Sequence, residues 1–144
     1  MNTKKLSKNN FRLRSFLKSW LPTFFWILLV CYLSLADSGL PEIKFRFILE
    51  SDKIAHIGIY FVLTVLLTRS WSNVILKKGL KYLLILSAFQ VICFGIIMEV
   101  LQKLITTTRQ FDVRDIYANI AGTVIGAIFY LLFHKFFSQT SSDN

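Results

Sequence analysis

Apolar residues fall into long blocks along the chain, at residues 20–36, 53–71, 80–105 and 113–137, separated by stretches rich in charge and turn residues. A hydrocarbon core of about 30 Å needs roughly 20 apolar residues per helix. The blocks have about that length, so the pattern predicts an all-α integral membrane protein with a bundle of four transmembrane helices. Pro22 stands near the start of the first block, where a first-turn proline removes no needed hydrogen bond. Ahead of it, residues 1–19 form a polar, basic segment in which Phe11, Leu13, Phe16 and Leu17 interleave with the cations. That interleaving predicts that residues 11–18 lie on the membrane surface. Ser34 and Ala36 fit a signal-peptidase site, but the bulky aromatic run and long basic head favour a retained anchor.

The connection at residues 37–51 carries the turn residues Ser38, Gly39 and Pro41. Its Phe45, Phe47, Ile48 and Leu49, beside Lys44 and Arg46, suit the membrane interface. Residues 138–144, SQTSSDN, read as a disordered polar tail.

Composition strengthens the membrane reading: 54% of the 144 residues are hydrophobic, and the mean hydropathy is +0.54. One membrane domain, spanning residues 20–137, accounts for nearly all of the chain. The net charge of +9 raises nucleic acid as a partner. Yet the cations flank the apolar blocks, which fits topology and anionic lipid, so no nucleic-acid partner is expected. Eleven of the seventeen Lys and Arg fall on the side of the first segment, the 69–81 connection and Lys135. Six fall on the other side: Lys44, Arg46, Lys53, Lys103, Arg109 and Arg114. The positive-inside rule then places both termini in the cytoplasm. A multi-pass membrane protein is expected. Cys31 and Cys93 both lie in apolar blocks and read as small hydrophobes, without a disulfide framework.

Polar residues inside the blocks change the picture, because they are costly in a bilayer and need partners or a function. Residues three or four apart on a helix share a face. Asp52, His56 and Tyr60 make one such stripe, with Lys53 three residues before His56; Glu99, Gln102, Lys103 and Thr106 make a second. Asp115, Asn119, Gly122 and Gly126 make a third, with Asp112 just ahead of it. In an up-and-down bundle all three stripes end at the same outer boundary, with Glu99 roughly 9 Å below it. A shallow polar pocket that opens outward is the expected arrangement.

Each group has a plain structural reading beside a functional one. Asp52 and Lys53 could simply mark a helix start, where an acid favours the positive dipole end. His56 could pair with Glu99, carry a proton near neutral pH or hold an anion. Glu99 needs protonation or a partner, for which Lys103 one turn on is the local candidate; otherwise it can bind a head group or act as a general base. Arg109 could hold phosphate or carboxylate in its planar fork, or pair with Asp112 or Asp115. Arg114 reads as an interfacial anchor and His134 as an interfacial residue. Asn119 suits a hydrogen bond to a neighbouring helix, and Gly122-x-x-x-Gly126 suits close helix packing.

Asp52, His56, Glu99 and Asp115 carry metal-ligating atoms, but no compact motif such as His-Glu-x-x-His occurs, so no metal and no cofactor are assigned. Gly-rich phosphate loops and nucleophile elbows are lacking too.

In their order and spacing, Asp52-Lys53-x-x-His56, Glu99-x-x-Gln102, Arg109 and Asp115-x-x-x-Asn119-x-x-Gly122-x-x-x-Gly126 resemble the VanZ-like membrane proteins, over about the last two-thirds of the chain. The resemblance implies a role in the cell envelope, since the family's name-giving member is associated with low-level teicoplanin resistance. It implies no defined reaction. Met98 departs from the pattern, because many relatives carry a second acid there beside the glutamate.

Three functions are compatible with these residues. One is binding or modification of the head group of a membrane lipid or lipid-linked envelope precursor. Another is a membrane enzyme with Glu99 and His56 as acid and base. The third is an assembly module whose polar groups hold the spans together. Transport lacks a polar path to the inner side unless copies of the chain associate as a homo-oligomer.

Overall fold

The computed structural model describes residues 3–35, 48–75, 78–106 and 112–140. They form four α-helices: α1 (Thr3–Leu35), α2 (Ile48–Val74), α3 (Leu80–Ile105) and α4 (Val113–Thr140). No strand occurs among the described residues. Each helix contains a stretch long and apolar enough to cross a membrane: Phe16–Leu35, Lys53–Val74, Leu80–Ile105 and Val113–Phe136. The expected blocks agree with these stretches to within a few residues, apart from the start of the first.

That exception has a physical consequence. The basic head and the first apolar stretch form one helix, because α1 runs unbroken from Thr3 to Leu35. At about 1.5 Å per residue its 33 residues reach roughly 50 Å, well beyond a 30 Å hydrocarbon core. Pro22 therefore stands inside the helix rather than in its first turn. Its missing N–H leaves the Lys18 carbonyl without the usual partner one turn on.

α2 and α3 each touch the other three helices, whereas α1 and α4 do not meet among the described residues. The bundle is thus rhombic, with α1 and α4 at opposite corners. The tightest pairing is α2 with α4, and two glycines explain it. A Cβ on Gly122 would overlap the Ile57 carbonyl, and one on Gly126 would stand 2.8 Å from the Phe61 carbonyl oxygen. Close backbone approach through small residues is how helices associate where lipid removes the hydrophobic drive. The packing reading of Gly122 and Gly126 holds.

The core groups Tyr60, Leu63, Leu67 and Val91 under Trp20, Trp26, Trp71 and Phe94. Outward, α1 shows Leu21 and Leu28, α3 shows Phe89 and Leu104, and α4 shows Leu132 and Phe136, all more than half exposed. A continuous apolar exterior of this kind is what lipid contact requires.

Two buried threonine hydroxyls of α2 are satisfied on their own helix: Thr64 Oγ1 donates to the Tyr60 carbonyl at 2.7 Å and Thr68 Oγ1 to that of Thr64 at 2.8 Å. At the end holding the α2 C-terminus, polar groups join helices. Thr23 and Ser70 hydroxyls meet at 2.8 Å, Asn73 Nδ2 donates to Ser19 Oγ at 2.9 Å and Trp71 Nε1 donates to Gln90 Oε1 at 2.7 Å. The stripes named from the sequence do not include this network, although Ser19 and Thr23 share one face of α1 and Ser70 and Asn73 one face of α2.

Candidate functional site

The opposite end of the bundle gathers the C-termini of α1 and α3 with the N-termini of α2 and α4. Three of the predicted stripes meet there, on three helices. His56 lies one turn into the apolar stretch of α2, Glu99 near the end of α3, and Asp115 and Asn119 in the first two turns of α4. Asp112 starts α4 by accepting the Arg114 backbone N–H at 2.8 Å on Oδ1, an N-cap contact. This cap brings Asp115 into the first helical turn, where the positive dipole end favours an acid.

His56 Nδ1 stands 2.9 Å from Asn119 Oδ1 and 4.0 Å from Glu99 Oε1. As the amide is placed, its oxygen accepts, so Nδ1 carries the proton and donates to Asn119. One ligating atom from each of His56, Glu99 and Asp115 lies within 4.8 Å of the other two. Glu99 is 1% exposed, Asn119 2%, and His56 and Asp115 9% each. Glu99 Oε2 and Asn119 Nδ2 have no hydrogen-bond partner among the described residues. Asn119 is nevertheless a hydrogen-bonding neighbour of Glu99, so these two atoms are short of full geometry rather than isolated.

The remaining predicted residues divide. Gln102 is buried but faces α1, where Nε2 donates to the Ser34 carbonyl at 3.2 Å. Thr106 Oγ1 donates to the Gln102 carbonyl at 2.7 Å. Lys103 is exposed, so the ionisable group facing Glu99 is His56 on another helix rather than Lys103 on its own. Lys53 is half-buried, while Arg114 and His134 are exposed. Arg109 and the side chain of Asp52 lie outside the described residues, as do the residue 37–47 features. Met98 is buried against α1, its Sδ 4.0 Å from Cys31 Sγ, so an apolar residue suits that position. Both cysteines are free and half-buried.

Two members of the site were not foreseen. Gly95 sits one turn before Glu99, and a Cβ there would meet Tyr60 Cε1 at 3.0 Å and Asn119 Nδ2 at 3.3 Å. It leaves the room into which Asn119 reaches. Tyr60, seen beforehand only as a stripe member, stacks its ring on His56 with an interplanar angle of 7° and centroids 6.4 Å apart. A glycine and a tyrosine in apolar helices look like packing residues until their neighbours are known.

The acidic and amide groups are enclosed by α2, α3 and α4. A groove of about 190 Å³ runs along the seam of α1 and α2, lined by Val30, Leu33, Ser34, Ala55, His56, Ile59 and Tyr60. Its walls are mostly apolar, and His56 is shared between the groove and the buried cluster.

Comparison of the chain with protein-family models, with curated proteins and with solved structures found no match.

Proposed function

We propose that this chain is a VanZ-like protein of the bacterial cell envelope that binds the polar head of a lipid or lipid-linked cell-wall precursor. In this reading both termini are cytoplasmic, the His56 end of the bundle faces outward, and the protein contributes to tolerance of glycopeptides or envelope stress. The observation that carries the reading is the groove between α1 and α2, apolar along its walls and closed by the His56 imidazole. An amphiphile suits it: the chain follows Val30, Leu33 and Ile59, and the head reaches His56 and the under-bonded atoms behind it. Buried groups short of full hydrogen-bond geometry favour a ligand that completes it, because an unsatisfied buried group costs about 1–3 kcal/mol. Arg109 would meet an anionic head through its planar fork. The 4.0 Å between His56 Nδ1 and Glu99 Oε1 also favours an acid–base pair, so product formation belongs among the readouts.

The test uses purified protein in bilayer discs with a photoreactive analogue of a polyprenyl-linked precursor. Labelling is expected at Val30, Leu33, Ala55 or Ile59, and Glu99→Gln should weaken it about tenfold, the loss of one charge-assisted hydrogen bond. Labelling spread evenly over all four helices, or unchanged in that variant, would refute the reading.

A further inference from the structure

His56, Glu99 and Asp115 come from three helices, yet their ligating atoms share a volume no wider than 4.8 Å. Two carboxylates held this close and this deep repel each other and have lost most of their water. A divalent cation held by all three side chains would neutralise both carboxylates at once. Buried carboxylates are found paired or on metals. The second observation is independent of charge: Glu99, 1% exposed, turns Oε1 toward His56 and keeps Oε2 without a hydrogen-bond partner among the described residues. Asn119 adds an amide oxygen 2.9 Å from His56 Nδ1, a spacing typical of neighbouring ligands on one ion.

We propose that His56, Glu99 and Asp115, with the Asn119 amide oxygen, bind one divalent transition-metal ion of the zinc–manganese class. Zinc–nitrogen and zinc–oxygen bonds are about 2.0–2.2 Å, so two ligands of one ion stand about 3.4 Å apart at a tetrahedral angle and about 4.3 Å apart only when opposite each other. The three ligating atoms, within 4.8 Å of one another, must therefore close by about 0.5–1.5 Å, through side-chain rotations of Glu99 and Asp115. One imidazole and several oxygens suit zinc, manganese or ferrous iron, and the lack of thiolate argues against copper(I). On binding, the Nδ1 proton leaves for Nε2 or solvent, and the Nδ1 lone pair goes to the metal. The Tyr60 ring stacked on His56 and the space left by Gly95 fix the imidazole and the amide, as supporting residues do in built metal sites. This inference does not depend on the lipid reading, because metal occupancy is measured without any lipid substrate.

The experiment is elemental analysis of the full chain purified in detergent after incubation with Zn²⁺ or Mn²⁺, followed by Co²⁺ titration of the stripped protein. One tightly held ion per chain is expected, with a visible Co²⁺ d–d band that Zn²⁺ removes. His56→Gln, Glu99→Gln and Asp115→Asn should each weaken Co²⁺ binding by at least about 100-fold, since even supporting residues are worth 10–100-fold. Gln102→Ala, which faces α1, should stay within about threefold of wild type. Monodisperse, helical wild-type protein that takes up no ion and shows no Co²⁺ band would overturn the proposal without any variant. So would a bound ion that persists in all three ligand variants.

Discussion

His56 on α2 and Asn119 on α4, 63 residues apart in sequence, meet at 2.9 Å between Nδ1 and Oδ1. That bond ties the two most closely packed helices at the level of the polar cluster, one turn from where Gly122 admits the backbone of Ile57. Small residue and polar residue thus act together: the glycine lets the helices approach, and the amide uses the short distance.

Asn119→Ala should consequently lower the stability of the purified protein by about 1–3 kcal/mol, the range for leaving a buried donor unpaired. Thermal unfolding in detergent, followed by circular dichroism, reads it. In a His56→Ala background the donor is already gone, so adding Asn119→Ala should cost much less. An equal cost in both backgrounds would show that the hydrogen bond is not its source.

The glycines give a sharper contrast. At Gly122 an added Cβ collides with backbone, which cannot rotate away, so Gly122→Ala should destabilise by about 1–3 kcal/mol or more and reduce the folded yield. Gly126→Ala, with 2.8 Å to the Phe61 carbonyl oxygen, should follow in the same direction. Gly58 has nothing within 4 Å of its added Cβ, and Gly58→Ala there should be neutral or stabilise by up to about 1 kcal/mol through helix propensity. Unfolding midpoints of the three variants, measured side by side, check the ordering.

The outward orientation proposed for the site predicts the placement of the C-terminus. A fluorescent protein fused after Asn144 should fold and fluoresce, and alkaline phosphatase at the same place should stay inactive. The opposite pair of results would put the His56 end on the cytoplasmic side and remove the outer-leaflet reading.

The spans were legible because their signal is local: about 20 apolar residues in a row mean the same thing whatever surrounds them. Convergence of His56, Glu99, Asp115 and Asn119 on one end of the bundle was legible too, from the three- and four-residue spacing and the alternating direction of successive helices. The partners were not. Glu99 faces His56 across helices rather than Lys103 on its own turn, and Gln102 turns away to Ser34. Those facts depend on the rotation of each helix about its axis, which is set by distant contacts such as Gly122 on Ile57 and Gly95 under Asn119. The same holds for α1, whose continuity through Pro22 joins a basic head to an apolar span that the sequence pattern separates.

The two polar ends of the bundle should respond differently to substitution. At the Ser70 end the network is closed: Ser70 Oγ lies 2.9 Å from the Ser19 carbonyl and 3.0 Å from that of Leu66, beside its contact with Thr23. Thr23→Val removes one member and leaves Ser70 with other acceptors, so the loss should be about 0.6 kcal/mol, the average for interhelical hydrogen bonds in membranes. Trp71→Phe leaves Gln90 Oε1 without its donor and should cost about 1 kcal/mol more, since an abandoned half-buried acceptor is worse than a shortened network. Neither change touches the groove of α1 and α2 at the other end, so lipid labelling there should equal wild type in both. Glu99→Gln should show the reverse, with labelling reduced and stability held or raised, because a neutral amide relieves the repulsion with Asp115. A variant set in which stability and labelling fell together at both ends would mean that the His56 cluster serves only to hold the helices.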